Sequence, residues 1–333
     1  MPDSGNWPPP APSDRPDIFV EVVRPEDLAR PPWAPTPVRE RYWVHVLLLG
    51  LTLLTTTAAG AMHWVSFQAD FRETVPDITA LAMAVNGLWY ALTILAILGA
   101  HELGHYLACR YYGISASLPY FLPVPLPLTG TAGAFIRIRE PITTKPALFD
   151  IGIAGPIAGF VVAVPALFLG LSLSRGVDLP ADFSGLSLGE PLLFQWAARL
   201  VWGAVPDHQS INLHPMAFAA WFGLLATALN LFPIGQFDGG HIAYAALGRR
   251  SSVVTVATVG AAVGLSVYSS SWIVWTAVAV GLLFAFGWRH PRTWDEDAPL
   301  DRRRLWLALL ALVIFAICFT PAPIEPLDLI QPQ

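Results

Sequence analysis

The chain has 333 residues, of which 54% are hydrophobic and only 13% charged, and its formal net charge is -5 at pH 7. So few polar groups could not clothe a water-soluble globule of this size, which points to an integral membrane protein. No basic stripe with interleaved aromatics is present, so no nucleic-acid partner is expected, and the two cysteines, Cys109 and Cys318, give no disulfide framework.

Residues 1–42 are dense in proline, carry both charge signs and lack apolar periodicity, which favours an extended, disordered arm. The arm has no charged start followed by an apolar core, so no cleavable signal peptide is read there. Its acids, among them Asp3, Asp14, Asp17 and Glu21, argue against an organelle transit peptide, leaving a bacterial plasma (inner) membrane as the simplest location. Apolar runs near the ~20 residues needed to cross hydrocarbon then follow at 43–64, 78–109, 151–173, 214–234, 253–268, 272–288 and 305–319. The second exceeds one span, and the fifth is marginal, fitting a buried or tilted helix as well as a crossing. The fold class expected is an all-α polytopic membrane protein of about six to seven transmembrane helices, with a small membrane-associated β segment near the active site.

Between the runs, the connections carry their own signals. Pro119, Pro123, Pro125 and Pro127 cannot continue a helix, so they mark a loop or re-entrant segment. Residues 130–138 alternate enough to form an edge strand. Gly152, Gly155, Pro156 and Gly159 permit close helix packing with a kink. Residues 189–205 have apolar side chains at helical spacing, which suits either an interfacial helix or one covering the bundle. Arg39, Arg41, Arg110, Arg137, Arg139, Lys145, Arg249, Arg250, Arg289, Arg292 and the run 302–304 fall in alternate connections, whereas the opposite ones hold only Arg72, Arg175 and Arg199. The positive-inside rule then puts the N-terminus in the cytoplasm. The expected organisation is an arm (1–42), a membrane domain (43–320) and a short C-terminal tail (321–333).

The chemistry sits late in the second run, where His101-Glu102-Leu103-Gly104-His105 follows a stretch free of ionisable side chains. Positions i and i+4 share a helix face, so the two histidines can grip one metal while Glu102 addresses the same water. A catalytic zinc needs a third protein donor. The conspicuous acid in the later apolar runs is Asp238, in Asn230-Leu231-Phe232-Pro233-Ile234-Gly235-Gln236-Phe237-Asp238-Gly239-Gly240. A carboxylate there is costly unless paired, and a metal cation would pair it. His214 and His241 are less suited to ligation and fit interfacial or supporting positions. His45 and His63 receive no role.

These residues together resemble the site-2 protease family of intramembrane zinc metalloproteases, over roughly residues 88–248. Gly130-Thr131-Ala132-Gly133-Ala134-Phe135 and Asn212-Leu213-His214-Pro215 are similar to its bacterial and plastid branch without a PDZ insert. Gln236-Phe237, where many members have Pro-Leu, departs from the pattern without touching the ligand. The resemblance implies one Zn2+ per chain held by His101, His105 and Asp238, with Glu102 as catalytic base and Asn230 assisting at the reacting carbonyl. It implies hydrolysis of peptide bonds in membrane-anchored protein substrates within the lipid bilayer. The alternative of another class is a metal-binding membrane transporter or a non-catalytic scaffold, neither of which needs a glutamate beside the first histidine.

Overall fold

A computed structural model describes residues 40–72, 74, 77–180, 183–206, 209–286 and 292–328. All but the end of the expected N-terminal arm lies outside them. Nine α-helices occur among these residues: α1 (Tyr42–Ala69), α2 (Ala80–Tyr111), α3 (Lys145–Ser172), α4 (Leu192–Trp202), α5 (Pro215–Asn230), α6 (Asp238–Leu247), α7 (Ser251–Tyr268), α8 (Ser271–Phe286) and α9 (Arg302–Cys318). Each of the seven apolar runs falls on a helix. Four helical segments are long and apolar enough to cross a membrane: α1, α2, α3, and α6 with α7, which continue through a 3-10 turn as Asp238–Tyr268. The marginal fifth run is therefore the second half of a longer helix, and α5, α8 and α9 are shorter.

Local chemistry sets several helix starts. The Thr79 hydroxyl accepts the amide of Ala82 at 3.3 Å to open α2, and Asp301 accepts the amides of Arg303 and Arg304 to open α9. Between α5 and α6, Pro233 and Gly235 break the helix as expected, Gly235 adopting φ 48°. Helices α1 and α2 approach until backbone meets backbone, since a Cβ at Gly60 would strike Gly87 and one at Gly87 would strike Thr57 and Ala61. The main core gathers Phe149, Leu167, Trp221 and Leu224 from α3 and α5, with α9 closing one side through Ala311 and Ile314.

Among the described residues the β structure consists of three two-stranded antiparallel sheets. Strand β1 (Tyr120–Phe121) pairs with β2 (Ala134–Phe135), and a single bridge joins Ala116 to Ile138. The edge strand expected over 130–138 is thus the short second arm of a narrow ribbon. Strand β3 (Arg175–Asp178) pairs with β5 (Gln209–Asn212), and β4 (Ser184–Leu188) with β6 (Ile324–Asp328). Strand β6 comes from the stretch read as a plain tail, because a pairing partner so distant in sequence leaves no local mark. Helix α4 occupies most of the stretch read as a surface helix.

The segment joining α2 to α3 is re-entrant. His45 donates to the carbonyl of Pro119 at 3.0 Å, and His63 donates to that of Leu128 at 2.8 Å. These histidines stand about 27 Å apart along α1 at ~1.5 Å per residue, so the segment runs most of a bilayer's depth. Tyr90 donates to the carbonyls of Leu128 and Thr129 at the tip, and Gly130, at φ 66°, fits against the backbone of Thr55 and Thr56. His45 and His63, left without a role by sequence, fasten this segment.

Candidate metal centre

Helical spacing on α2 turns His101 and His105 to one side, where they meet the first residue of α6. The Nε2 atoms of the two imidazoles lie 3.1 Å apart. His101 Nε2 is 3.2 Å from one carboxylate oxygen of Asp238, and His105 Nε2 is 3.3 Å from the other. All three donor atoms fall within 4.8 Å of one another. Only 7% of His101, 8% of Glu102 and 8% of His105 are exposed, so the convergence is buried.

The surroundings orient each donor. His105 Nδ1 donates to the carbonyl of Ile151 at 2.7 Å, which leaves Nε2 facing Asp238. The glycines of α3 make room for both rings: a Cβ at Gly155 would collide with the His105 imidazole, and one at Gly159 would lie 3.3 Å from His101 Cβ. Across the same interface, Gly104 lets α2 rest on the Ala154 backbone. Asp238 reaches the site because α6 begins directly after the break, and Gly239 and Gly240 let its first turn pack on the carbonyls of Leu231, Phe232, Ile234 and Gly235. The Ile151 carbonyl carries no side-chain signature, so sequence reasoning missed it. The glycine spacing was visible, though its target was not.

Glu102 lies beside the pair, and its carboxylate accepts the backbone N–H of Ile136, just beyond β2. The ribbon therefore touches the expected base directly. Asn230 is the last residue of α5, half-buried, and its side chain makes no hydrogen bond among the described residues. His214 stands apart as the N-cap of α5, accepting the Met216 amide at 3.2 Å and packed on Trp64, Phe67 and Trp89. His241 lies on the turn of α6 after Asp238, against Gly152. Neither joins the three-residue cluster.

Two imidazole nitrogens and one carboxylate, buried and within coordinating reach of a common point, form the donor set of a catalytic zinc site, which completes its shell with water. The neighbouring carboxyl is placed as a proton acceptor for that water. Such a set also suits other borderline divalent cations.

A family model of peptidase family M50 matches residues 89–270. Among curated proteins, the chain is 33% identical over 277 residues to a probable zinc metalloprotease EGY2, chloroplastic, of Arabidopsis thaliana, covering 80% of this chain and 49% of that one. It is 35% identical over 185 residues to the probable zinc metalloprotease EGY1, chloroplastic, of the same plant, covering 54% and 33%. To the probable zinc metallopeptidase EGY3, chloroplastic, it is 29% identical over 293 residues, covering 83% and 49%. The chain spans about half or less of the length of these relatives. No solved structure matches.

Proposed function

Because the chain belongs to peptidase family M50, the site-2 protease family, we propose that it is an intramembrane zinc endopeptidase cleaving membrane-anchored protein substrates. The observation that carries this is the convergence of His101, His105 and Asp238 from two distant helices, with Glu102 beside them. These three would hold the single Zn2+. When bound, the ion supplies Lewis-acid polarisation of the substrate carbonyl and lowers the pKa of water toward neutrality.

The chain's own residues do the rest. Glu102 takes the proton of the attacking water and returns one to the leaving amine. Asn230, with its amide free of other partners, hydrogen-bonds the oxygen of the reacting carbonyl. A transmembrane substrate hides its carbonyls in its own helix and must unwind before attack. The ribbon residues leading to Ile136 offer it main-chain partners in extended form beside Glu102.

The pairings support one membrane arrangement. Strand β4 follows α3 and β6 follows α9, and their pairing requires an even number of crossings between them. We take α5, the α6–α7 segment, α8 and α9 as those four, which with α1 to α3 gives our reading of seven spans. Lys145 at the start of α3 bonds the Glu296 and Ala298 carbonyls between α8 and α9, as the same count requires. The positive-inside rule, applied to the arginine distribution, supports a reading with the N-terminus and the site end in the cytoplasm of a cell whose plasma membrane holds the chain. His101 lies about 15 Å from the C-terminal end of α2 at ~1.5 Å per residue, so cleavage falls nearer the cytoplasmic face. Reporter fusions in the 137–145 connection should read cytoplasmic; an external reading reverses the orientation.

The test of function compares membrane proteomes of cells bearing the wild-type chain and Glu102→Gln. Fragments cut within spans should accumulate only with wild type, while both proteins bind equal zinc. Equal fragment yields from both would remove Glu102 as the base.

A further inference from the structure

On the face opposite the His101 site, a cavity of about 1510 Å³ opens among the connections. It exceeds the ~300–1,000 Å³ typical of small-molecule sites, a size suited to a stretch of polypeptide. Strand residues Gly185 to Leu188 of β4 and Gln209 to Asn212 of β5 line it, whereas their pairing partners β6 and β3 do not. Each of these strands has one edge taken, and no third strand joins either sheet among the described residues. Unpaired edges of this kind accept an added strand.

Two further observations indicate what that strand is. The cavity's inner wall includes His63 and Leu128, the fastened tip of the re-entrant segment, whose returning arm brings Ile136 to Glu102. A chain unwound along that arm would therefore emerge at the cavity. Arg72 and Arg199, two of the three cations on this face, line the cavity with a single acid, Glu190, so its charge is net positive, and neither arginine forms an ion pair among the described residues. They suit a segment bearing acidic residues.

Resting on the protease reading above, we propose that this cavity binds the extended, acidic juxtamembrane segment that a substrate carries on the face opposite the cleavage site, as a strand added to β4 or β5. Binding there would select substrates by the extended character and charge of a segment remote from the cut bond.

The test uses the full chain with Glu102→Gln in phosphatidylethanolamine–phosphatidylglycerol liposomes. The probe is a synthetic peptide with one Leu/Ala-rich span and a Val/Thr tail containing one Glu on the cavity side. Cysteines walked along the tail are scored for disulfide formation with Ser187→Cys in β4 or Ser210→Cys in β5. The expected pattern alternates with every second tail residue and weakens about tenfold when prolines break the tail's main-chain bonds. Exchanging the tail Glu for Lys should weaken it as well, and Arg199→Glu should restore the Lys tail. Cross-linking that is uniform along the tail, or unchanged by proline, overturns the proposal, as does a cavity labelled only by a photoactive lipid that the peptide does not displace. With the wild-type chain, the proline tail should raise KM about tenfold at unchanged kcat. Alternating cross-links without any cleavage would sink the protease reading and leave the cavity assignment standing; cleavage indifferent to the tail would do the reverse.

Discussion

The two ends of this molecule differ in how much they leave uncovered. At the metal-centre end, glycines at 104, 155, 239 and 240 bring helix backbones into contact, and any added Cβ meets carbonyls or an imidazole ring. On the opposite face, the chain is spread into two-stranded sheets and α4, with Leu186 53% exposed and Leu200 77% exposed. Dense packing fixes side chains to within a fraction of an ångström, which chemistry at a buried carbonyl demands. Unpaired strands and exposed apolar groups instead serve contact with something else, lipid or polypeptide.

The sharpest way to break this contrast is at the site end. Glu102→Gln should lower the cleavage rate by about 10²- to 10⁴-fold, the usual contribution of a positioned base, with metal content unchanged by elemental analysis. Asp238→Ala, or dialysis against a chelator, should remove both metal and activity. Zinc should restore activity to the dialysed wild type and not to the variant. Gly155→Ala forces a methyl into the His105 ring and should cost about 1–3 kcal/mol of stability, together with weakened metal binding, read by thermal unfolding and metal titration. An isosteric change on the far face, Ser187→Ala, should leave both quantities unchanged.

Effects shrink along the re-entrant segment and toward the surface where α9 begins. Tyr90→Phe removes the hydroxyl from two carbonyls at the tip and should cost about 1 kcal/mol, with faster hydrogen exchange confined to residues near 128–130. Asp301 is held below the ordinary carboxylate range by its side-chain bond to Arg304 and by the α9 amides it caps. A depressed carboxylate contributes stability above its unfolded pKa and loses it as pH falls through the folded value. The difference in melting temperature between wild type and Asp301→Asn should therefore be present at neutral pH and fade in acid.

Much of the site was legible in sequence because ionisable groups inside apolar runs are expensive and stand out. The pentapeptide at 101–105 and the lone Asp238 both announced themselves in this way, and the helical period correctly made neighbours of His101 and His105. The seven runs gave the helices for the same reason. What escaped were pairings without local periodicity: the Ile151 carbonyl behind His105, the depth reached by residues 119–130, and the union of β4 with β6. The run at 253–268 reads as marginal because a window on hydropathy stops at Arg249 and Arg250, whereas the backbone turns through them and continues from α6.

The union of β4 with β6 also dictates an order of assembly. Strand β4 leaves the ribosome well before β6, and at roughly 5–20 residues per second it waits on the order of ten seconds while α5 to α9 are inserted. His101 and His105 are already synthesised when that interval begins and Asp238 emerges during it, well before β6, while the far-face cap still lacks a strand. The metal site and the far-face cap would thus be completed at separate times in each newly made copy, the second only after α9 has been inserted.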